Sequence, residues 1–396
     1  MNFAQEIFMM KTGKYSMEPA TLALPDPERY SSRWFQGIPG IEILPDGRIV
    51  VCCYGNTLQG EGPGNYVILL ISSDNGNSWH EILNILPPDE ISRTYDPVVW
   101  LAPDKKLWLF YAQCTSSGLW DCFDGKAGVW CVICDEPSEE TLHWSSPVRL
   151  CDGVMMNKPT VLSDSSWAFP VALWACYPEK LSEELREKAR PNILISYDRG
   201  KSFELRIGPD IPERTFDENV IVEKSDGTLW MLARTSYGSG ESFSSDGGKS
   251  WSIPADSHLG GPESRFALRR LKSGKLCLIN HQSLHQLPGE KFSQVRNKLA
   301  AWLSDDDGKS WYGRLLIDAR DKVSYPDFTE DGNGAIYAVY DYNRLETGQI
   351  MMAKFTEADI AAGEFITPGS FTGKVVAALL PEKQRKNKAD NSDKKQ

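Results

Sequence analysis

A turn motif of eight residues occurs four times in this chain of 396 residues. Its pattern is Ser-x-Asp-x-Gly-x-Ser followed by Trp or Phe, and the copies begin at Ser72, Ser196, Ser244 and Ser304. The aspartate can accept backbone N–H groups across the turn, the glycine supplies a positive φ, and the aromatic ring packs beneath the hairpin. We call this motif the Asp box. Its recurrence predicts a chain built from repeated β-hairpins.

The spacing of the boxes indicates how many units the chain contains. The first two boxes start 124 residues apart, whereas the later spacings are 48 and 60 residues. One more unit with a degraded box is therefore expected between them, around Val132–Trp144. Six polar turns that lead into apolar strands support this count; they begin at Asp46, Asp104, Asp164, Asp226, Ser273 and Asn333. Six such units predict an all-β, six-bladed β-propeller with Asp-box hairpins.

The sequence also predicts where the repeated region begins and ends. The propeller is expected to cover residues 31–375, between an N-terminal extension (1–30) and a charged tail (376–396). Glu179–Arg190 has a helix-forming composition and stops before Pro191, which favours a short helix inserted between strands. From Glu382 onward the chain is charged and almost without apolar residues, which favours disorder.

Composition excludes several classes of partner. A net charge of -11 makes nucleic acid and anionic membranes poor partners. The sequence contains no run of 18 apolar residues, so no membrane span is predicted. The N-terminus lacks the basic and then apolar segments of an export signal. Nine cysteines, with Cys52 and Cys53 adjacent, fit a reducing cytoplasm better than a disulfide framework. Cys131 and Cys134 face opposite ways along a predicted strand, so we interpret them as packing thiols.

The antiparallel connectivity of a blade predicts which residues meet at one mouth of the central channel. First strands start and second strands end at that face, whereas the Asp boxes lie on the opposite face. The candidates from strand starts are Gln36, Asp96, Lys158, Glu218, Arg265, Tyr325 and Asp327, and those from strand ends and the following loops are Glu61, Arg234, His281 and Arg296. Converging charge predicts a functional site, although salt bridges among these residues are a structural alternative.

The spacing of these residues resembles that of the sialidase (neuraminidase) superfamily, over roughly residues 30–360. Members of that family carry a catalytic Glu eight residues before an Asp-Gly turn and an Arg seven residues after its Gly. Glu218 stands eight residues before Asp226, and Arg234 stands seven after Gly227. The family's nucleophilic tyrosine opens the last blade, where this chain has Tyr325.

A further arginine matches the family, but one expected arginine is missing. Arg296 stands eight residues before the serine of the last box, as a family arginine does. Family members open the first blade with Arg-Ile-Pro, whose arginine helps to hold a substrate carboxylate, whereas this chain has Gly37–Pro39. We expect Arg33, Lys158 or Arg265 to replace that charge, or the substrate to carry different substituents.

The resemblance implies an exo-acting glycoside hydrolase that needs no cofactor and acts on an acidic oligosaccharide or glycoside, bearing a sialic or related ulosonic or uronic acid. Tyr325 would attack as nucleophile with Glu218 as its base. Arg234 and Arg296 would hold the acidic group through forked hydrogen bonds. Glu61, or with less support Asp96, would protonate the leaving oxygen.

Two other functions fit the same residues. A polysaccharide lyase acting on a uronate-containing glycan would use Tyr325 or His281 as the proton-abstracting base. A carbohydrate-binding propeller without catalysis would explain the lost arginine.

His281 and His285 stand four residues apart, but at a strand end this spacing does not build a metal site, so a sugar contact from His281 is preferred. The oligomeric state stays open.

Overall fold

The chain folds into antiparallel sheets arranged as the blades of a propeller. The computed structural model describes residues 18–115, 124–174, 178–281 and 295–385. Within these residues the strands form six sheets, and each sheet is built from one continuous stretch of chain. The six-bladed β-propeller predicted from the repeats is confirmed.

The first three blades contain most of the aromatic core. Blade 1 contains β1 (Thr21–Ala23), β2 (Phe35–Ile43), β3 (Ile49–Asn56), β4 (Tyr66–Ser72) and β5 (His80–Leu86). Blade 2 contains β6 (Ser92–Leu101), β7 (Leu107–Thr115), β8 (Gly128–Cys134) and β9 (Val148–Asp152). Blade 3 contains β10 (Val154–Met155), β11 (Thr160–Val161), β12 (Trp167–Ala172), β13 (Pro191–Ser196) and β14 (Glu204–Arg206). In blade 3 both β10 and β11 pair with β12.

The last three blades each have four strands in chain order. Blade 4 contains β15 (Val220–Glu223), β16 (Leu229–Thr235), β17 (Gly238–Ser244) and β18 (Ala255–Asp256). Blade 5 contains β19 (Ala267–Arg270), β20 (Leu276–His281), β21 (Leu299–Ser304) and β22 (Tyr312–Asp318). Blade 6 contains β23 (Val323–Glu330), β24 (Ala335–Tyr342), β25 (Gln349–Thr356) and β26 (Phe371–Ala377). The six polar turns noted in the sequence join β2 to β3, β6 to β7, β11 to β12, β15 to β16, β19 to β20 and β23 to β24.

Helices are short and lie between or before strands. They are α1 (Pro27–Ser31), α2 (Glu183–Arg186) and α3 (Glu357–Ala362), with 3-10 turns at Pro178–Lys180 and Glu382–Gln384. The helix predicted over Glu179–Arg190 forms only at α2, where Leu181 and Leu185 pack against Leu173. None of these helices, nor any other in the described part of the chain, is long and apolar enough to cross a bilayer.

The ends of the predicted propeller region can be compared with the observed sheets. β1 comes from the segment predicted as an N-terminal extension, yet it pairs with β5 at the outer edge of blade 1. The last strand, β26, ends at Ala377. The predicted disordered tail falls largely on residues 386–396, which lie outside the described residues.

Each Asp box is held by its own side chains. Asp74 Oδ1 accepts the backbone N–H groups of Asn77 (3.0 Å) and Ser78 (2.8 Å), and its Oδ2 accepts the Ser78 hydroxyl (2.7 Å). The Ser72 hydroxyl accepts the N–H of Gly76 (2.8 Å). The same bonds recur in the boxes of blades 3, 4 and 5. Such donors stabilise the ionised carboxylate, and those from Ser310 lower the pKa of Asp306 to about 2.

The box glycines of blades 1, 3, 4 and 5 also pack against the neighbouring blade. A Cβ at Gly200, in the blade 3 box, would lie 2.6 Å from the Trp108 ring of blade 2. One at Gly308, in the blade 5 box, would lie 2.5 Å from the Trp230 ring of blade 4. Only glycine allows this close approach, and both glycines also have a positive φ. The boxes therefore join neighbouring blades as well as closing their own hairpins.

Apolar clusters fill the spaces between the blades. Cys131 packs with the cluster shared by blades 2 and 3, whereas Cys134 packs with the cluster shared by blades 1 and 2. These two thiols therefore face opposite sides of β8, as predicted. All seven cysteines among the described residues are buried and free of disulfides.

The packing role of the box glycine can be tested with two glycines of equal φ. Gly308 and Gly227 both have φ +83°, but Gly227 has nothing within 4 Å of a new Cβ. Gly227→Ala should lower the free energy of unfolding by about 1–2 kcal/mol through backbone strain alone. Gly308→Ala should lower it by about 1–3 kcal/mol more, because the methyl group overpacks Trp230. Denaturant unfolding of both variants measures the difference, and equal losses would contradict the packing role.

Candidate active site

The innermost strands of three blades begin with a β-bulge at the channel mouth. The pairing register shifts between Gly37 and Gly40, between Tyr95 and Val98, and between Ser324 and Asp327. In each bulge a residue that precedes proline has a positive φ: Ile38 (57°), Asp96 (49°) and Tyr325 (54°). Such a conformation is costly for a non-glycine residue and is found most often where a side chain must be aimed at a site.

A phenol, a carboxylate and a guanidinium group meet at this mouth. The Tyr325 hydroxyl donates to Glu218 Oε1 at 3.0 Å. Arg234 Nη1 donates to the same carboxylate oxygen at 2.9 Å and to the Tyr325 oxygen at 3.2 Å. The solvent-exposed fraction of each of the three residues is only 2–6%, so these hydrogen bonds form in a site of low dielectric. Two of the three residues come from blade 4, and Tyr325 comes from blade 6.

A second arginine lies over the same phenol ring. The Arg296 guanidinium carbon is 5.2 Å from the centre of the Tyr325 ring, and its Nη2 donates to the Glu263 carbonyl (3.0 Å). The Glu263 carboxylate in turn accepts from Arg234 Nη2 (3.3 Å). Glu263 therefore links the two arginines. The structure thus brings together the four residues that match the family spacing.

The electrostatics of the phenol are set by opposing effects. Burial, followed by the negative charge of Glu218, raises the pKa of Tyr325. Arg234 and Arg296 act in the opposite direction. Tyr325 is therefore a neutral phenol at physiological pH, and it needs an adjacent base before it can attack.

A cavity of about 470 Å³ opens beside this group. Its size is within the range of roughly 300–1,000 Å³ usual for small-molecule sites. Six of the candidates from the sequence line it: Glu61, Asp96, Glu218, Arg234, Arg296 and Tyr325. Apolar side chains form the rest of the wall, among them Ile38, Met156, Trp174, Phe216 and Leu345.

Two carboxyl groups lie on the side of the cavity formed by blades 1 and 2. Asp96 is buried, and burial followed by the charge of Glu61 raises its pKa to about 8. Glu61 is more accessible, with 28% of its side chain exposed, and its Oε1 lies 3.8 Å from Arg344 Nη2. Asp96 therefore holds a proton at neutral pH, which places a proton source in the cavity.

Two further arginines line the cavity, Arg93 and Arg344. Neither was a candidate from the sequence. Arg344 follows β24, in the loop between the second and third strands of blade 6. That loop is equivalent to the one that supplied Glu61 in blade 1, so the same connectivity rule applied to the last unit finds Arg344. Arg93 has no such signal, because it stands three residues before Asp96 in an extended strand.

Lys158 and Asp327 lie away from the cavity and link blades across the channel. Lys158 Nζ bonds to the Ile41 carbonyl and pairs with Glu42 (3.1 Å) and with Asp327 (3.6 Å). Asp327 also pairs with Arg269 and accepts the N–H of Ile41 (2.9 Å). These contacts link blade 3 to blades 1 and 6, and they occupy both charges. The expected substrate-binding roles of Lys158 and Asp327 are therefore replaced by structural ones.

Arg265 has a similar structural position below the phenol. Its guanidinium donates to the carbonyls of Met156 (2.7 Å), Pro39 (2.9 Å) and Tyr325 (2.9 Å). It also donates to the Pro326 carbonyl (3.3 Å) and is 1% exposed. Arg265 therefore stabilises the backbone that carries the nucleophile candidate and does not line the cavity.

The remaining candidates also make structural contacts. Gln36 accepts from Arg33 Nη1 (2.6 Å) and donates to the Gly348 carbonyl (3.0 Å). Arg33 Nη2 donates to both carboxylate oxygens of Glu81, at 3.2 Å to Oε1 and 3.0 Å to Oε2. Burial lowers the pKa of His281 to about 3, and its Nδ1 contacts the Asn297 carbonyl (3.2 Å). None of the three lines the cavity.

Metal binding has no support in the part of the chain that the structure describes. No group of three or more His, Cys, Asp or Glu side chains there is arranged to hold a metal ion. His285 lies outside the described residues.

The fold and the shape of its channel mouth define the class of protein. The chain is a six-bladed β-propeller. A model of the BNR repeat-like domain family matches residues 47–338, which is more than half of the chain, so the protein belongs to that family. No curated protein sequence matches the chain.

Several solved structures share the fold at low sequence identity. The Hadza microbial sialidase Hz136 superposes with a TM-score of 0.64 at 15% identity, and the match covers 82% of this chain. This chain spans 66% of the length of that sialidase, which is just under two thirds. The intramolecular trans-sialidase from Ruminococcus gnavus superposes with a TM-score of 0.59 at 12% identity, and the match covers 88% of this chain and 99% of that one. The NanB sialidase from Streptococcus pneumoniae superposes with a TM-score of 0.57 at 14% identity, and the match covers 82% of this chain and 68% of that one. At these identities the similarity establishes the fold alone.

Proposed function

We propose that the protein is an exo-acting glycoside hydrolase of the sialidase type, acting on a glycoside of a sialic or related acidic sugar. The observation that carries this proposal is the hydrogen bond from the Tyr325 hydroxyl to Glu218, buried at the cavity wall beside Arg234 and Arg296. A buried phenol bonded to a carboxylate is the arrangement that a tyrosine nucleophile and its base require.

The charge of the cavity supports an acidic substrate, although the whole chain has a net charge of -11. Four arginines line the cavity, Arg93, Arg234, Arg296 and Arg344, against the three carboxyl groups of Glu61, Asp96 and Glu218. Because the pKa of Asp96 is about 8, its carboxyl group is neutral at neutral pH, and at most two negative charges face the four arginines. An anionic group on the sugar would therefore be attracted into the cavity.

A tyrosine suits such a substrate better than a carboxylate nucleophile does. A carboxylate on the sugar next to the reacting carbon would repel an attacking carboxylate, whereas a neutral phenol is not repelled. In the proposed first step, the Tyr325 oxygen bonds to the anomeric carbon and its proton passes to Glu218. The bond to the leaving oxygen breaks as that oxygen receives a proton from an acid in the cavity.

The acid is proposed to come from the Glu61 and Asp96 pair. Asp96 keeps a proton at neutral pH, because burial and then the charge of Glu61 raise its pKa to about 8. Glu61 is the more exposed of the two, so it is proposed to pass the proton to the leaving oxygen. In the second step the same carboxylate takes a proton from water, which displaces Tyr325 from the sugar, and Glu218 returns the proton to the phenol.

The cavity is open at the channel mouth and closed below the phenol, which supports action on the end of a glycan chain. Below the phenol, the Arg265 and Lys158 contacts described above fill the channel, so a chain cannot thread through it. A single terminal sugar in the cavity, with the leaving group directed outward from the mouth, fits this shape.

The first test removes the nucleophile and its base. Tyr325→Phe should lower kcat for a 4-nitrophenyl sialoside by about 10⁴-fold or more, the scale for loss of a nucleophile. Glu218→Gln should lower it by roughly 10²–10⁴-fold, the range for general base catalysis. Tyr197→Phe is a matched control, because Tyr197 is exposed in the blade 3 Asp box on the opposite face. Full activity in Tyr325→Phe would refute the proposed chemistry.

The second test identifies the acid by the leaving group. Glu61→Gln should lower kcat/KM for an unactivated sialyl-lactoside by roughly 10²–10⁴-fold. It should affect the 4-nitrophenyl sialoside little, because 4-nitrophenolate leaves without a proton. The alkaline limb of wild-type kcat/KM, expected near pH 8 from the pKa of Asp96, should shift in Asp96→Asn.

A control variant and the opposite outcome complete this test. Glu346→Gln removes an exposed carboxylate that pairs with Lys322 outside the cavity, and it should leave both substrates unaffected. Equal losses on both substrates in Glu61→Gln would show that Glu61 is not the proton donor.

A further inference from the structure

The inner strand of blade 1 has glycine at position 37, where the family that the sequence resembles has an arginine, and a side chain from another blade lies in the adjacent space. Gly37 has no side chain, but a Cβ built there would lie 3.1 Å from both Cβ and Cδ of Arg344. The aliphatic stem of Arg344 therefore occupies the space that a side chain at position 37 would need. The two side chains therefore compete for the same space, and a residue larger than glycine at position 37 would require Arg344 to shift by a few tenths of an ångström.

The Arg344 guanidinium reaches the reacting group. Its central carbon lies 4.8 Å from the centre of the Tyr325 ring, against 5.2 Å for Arg296. Arg234 Nη1 donates to the hydroxyl of the same tyrosine (3.2 Å). Four guanidinium groups thus lie around the phenol, because that of Arg265 is 5.4 Å from the ring centre. Those of Arg234, Arg296 and Arg344 line the cavity.

The contacts of Arg344 with the protein leave hydrogen-bonding capacity unused. Its Nη1 is 3.6 Å from Asp341 Oδ2 and its Nη2 is 3.8 Å from Glu61 Oε1, both longer than a hydrogen bond. Nη1 is buried and makes no hydrogen bond to any described residue. A buried guanidinium nitrogen without a partner is costly, and an anionic ligand in the cavity would satisfy it.

The other cations expected to fill this role are held elsewhere. Arg33 is paired with Glu81, and Lys158 is paired with Glu42 and Asp327. Arg265 donates to backbone carbonyls. Arg344 is therefore the arginine beside Gly37 that faces the cavity.

We infer that Arg344 is the third arginine, beside Arg234 and Arg296, that binds the substrate carboxylate. It would bind from the β24–β25 loop of blade 6 and not from the inner strand of blade 1. This inference rests on the proposed function. It makes Arg344 a specificity-determining residue, because it contributes charge directed at the carboxylate and takes no part in proton transfer.

The test compares an acid with its uncharged ester. The probes are 2-deoxy-2,3-didehydro-N-acetylneuraminic acid and its methyl ester, with Kd measured by calorimetry. Arg344→Gln should lower the preference for the acid over the ester about tenfold, with little change in Kd for the ester. Lys322→Gln removes a cation of the same blade that pairs with Glu346 outside the cavity, and it should preserve the preference.

A double variant tests the competition between the two positions. Gly37→Arg alone should lose the acid preference or stability, because the new side chain meets Arg344. Gly37→Arg combined with Arg344→Gly should recover the preference to within about threefold, by restoring an arginine from the inner strand. A thermal melt of each variant separates loss of binding from loss of folding.

The outcomes separate this inference from the proposed function. If the wild type binds the acid and hydrolyses sialosides, but Arg344→Gln keeps the full acid preference, the role of Arg344 is overturned and the hydrolase proposal stands. If the wild type neither binds the probes nor hydrolyses sialosides, both are overturned.

Discussion

The hydrogen bond between the Tyr325 hydroxyl and the Glu218 carboxylate joins blade 6 to blade 4, and the arrangement of the site depends on it. These residues are 107 positions apart in the chain. A closed ring of blades brings them together, and the Asp boxes of blades 1, 3, 4 and 5, whose glycines pack against the neighbouring blade, stabilise that ring from the opposite face. Arg265 then fixes the backbone at Tyr325 from below. The chemistry at the mouth thus relies on structural interactions elsewhere in each blade.

The fold was predictable because its signal is repeated and local. Each Asp box contains the serine, aspartate and glycine that its own turn needs, and alternation of polar turns with apolar strands gives the number of blades. Glu218, Arg234, Arg296 and Tyr325 were found through their spacing to these repeats. A fixed position in a repeated unit places a residue at the mouth even when the chain around it has changed.

The direction of individual side chains was not predictable. Lys158, Arg265 and Asp327 stand at strand starts, as expected, but their side chains point into the channel and bond to other blades. Asp327 ends a β-bulge, which changes the alternation of neighbouring side chains. For all three residues, a position at a strand start does not distinguish the mouth from the channel below it. The loop that carries Arg344 follows the same rule that supplied Glu61, but only the ring geometry shows that its side chain lies next to Gly37 of blade 1.

The most direct test of the account is to trap the proposed covalent intermediate. A 2,3-difluorinated sialic acid loses its anomeric fluoride to the nucleophile and leaves a slowly hydrolysed adduct, whose position peptide mass spectrometry can identify. The account predicts a single sugar on Tyr325, and no adduct in Tyr325→Phe. A label on Glu61, Asp96 or Glu218, or steady turnover of sialosides with no adduct at all, would contradict it.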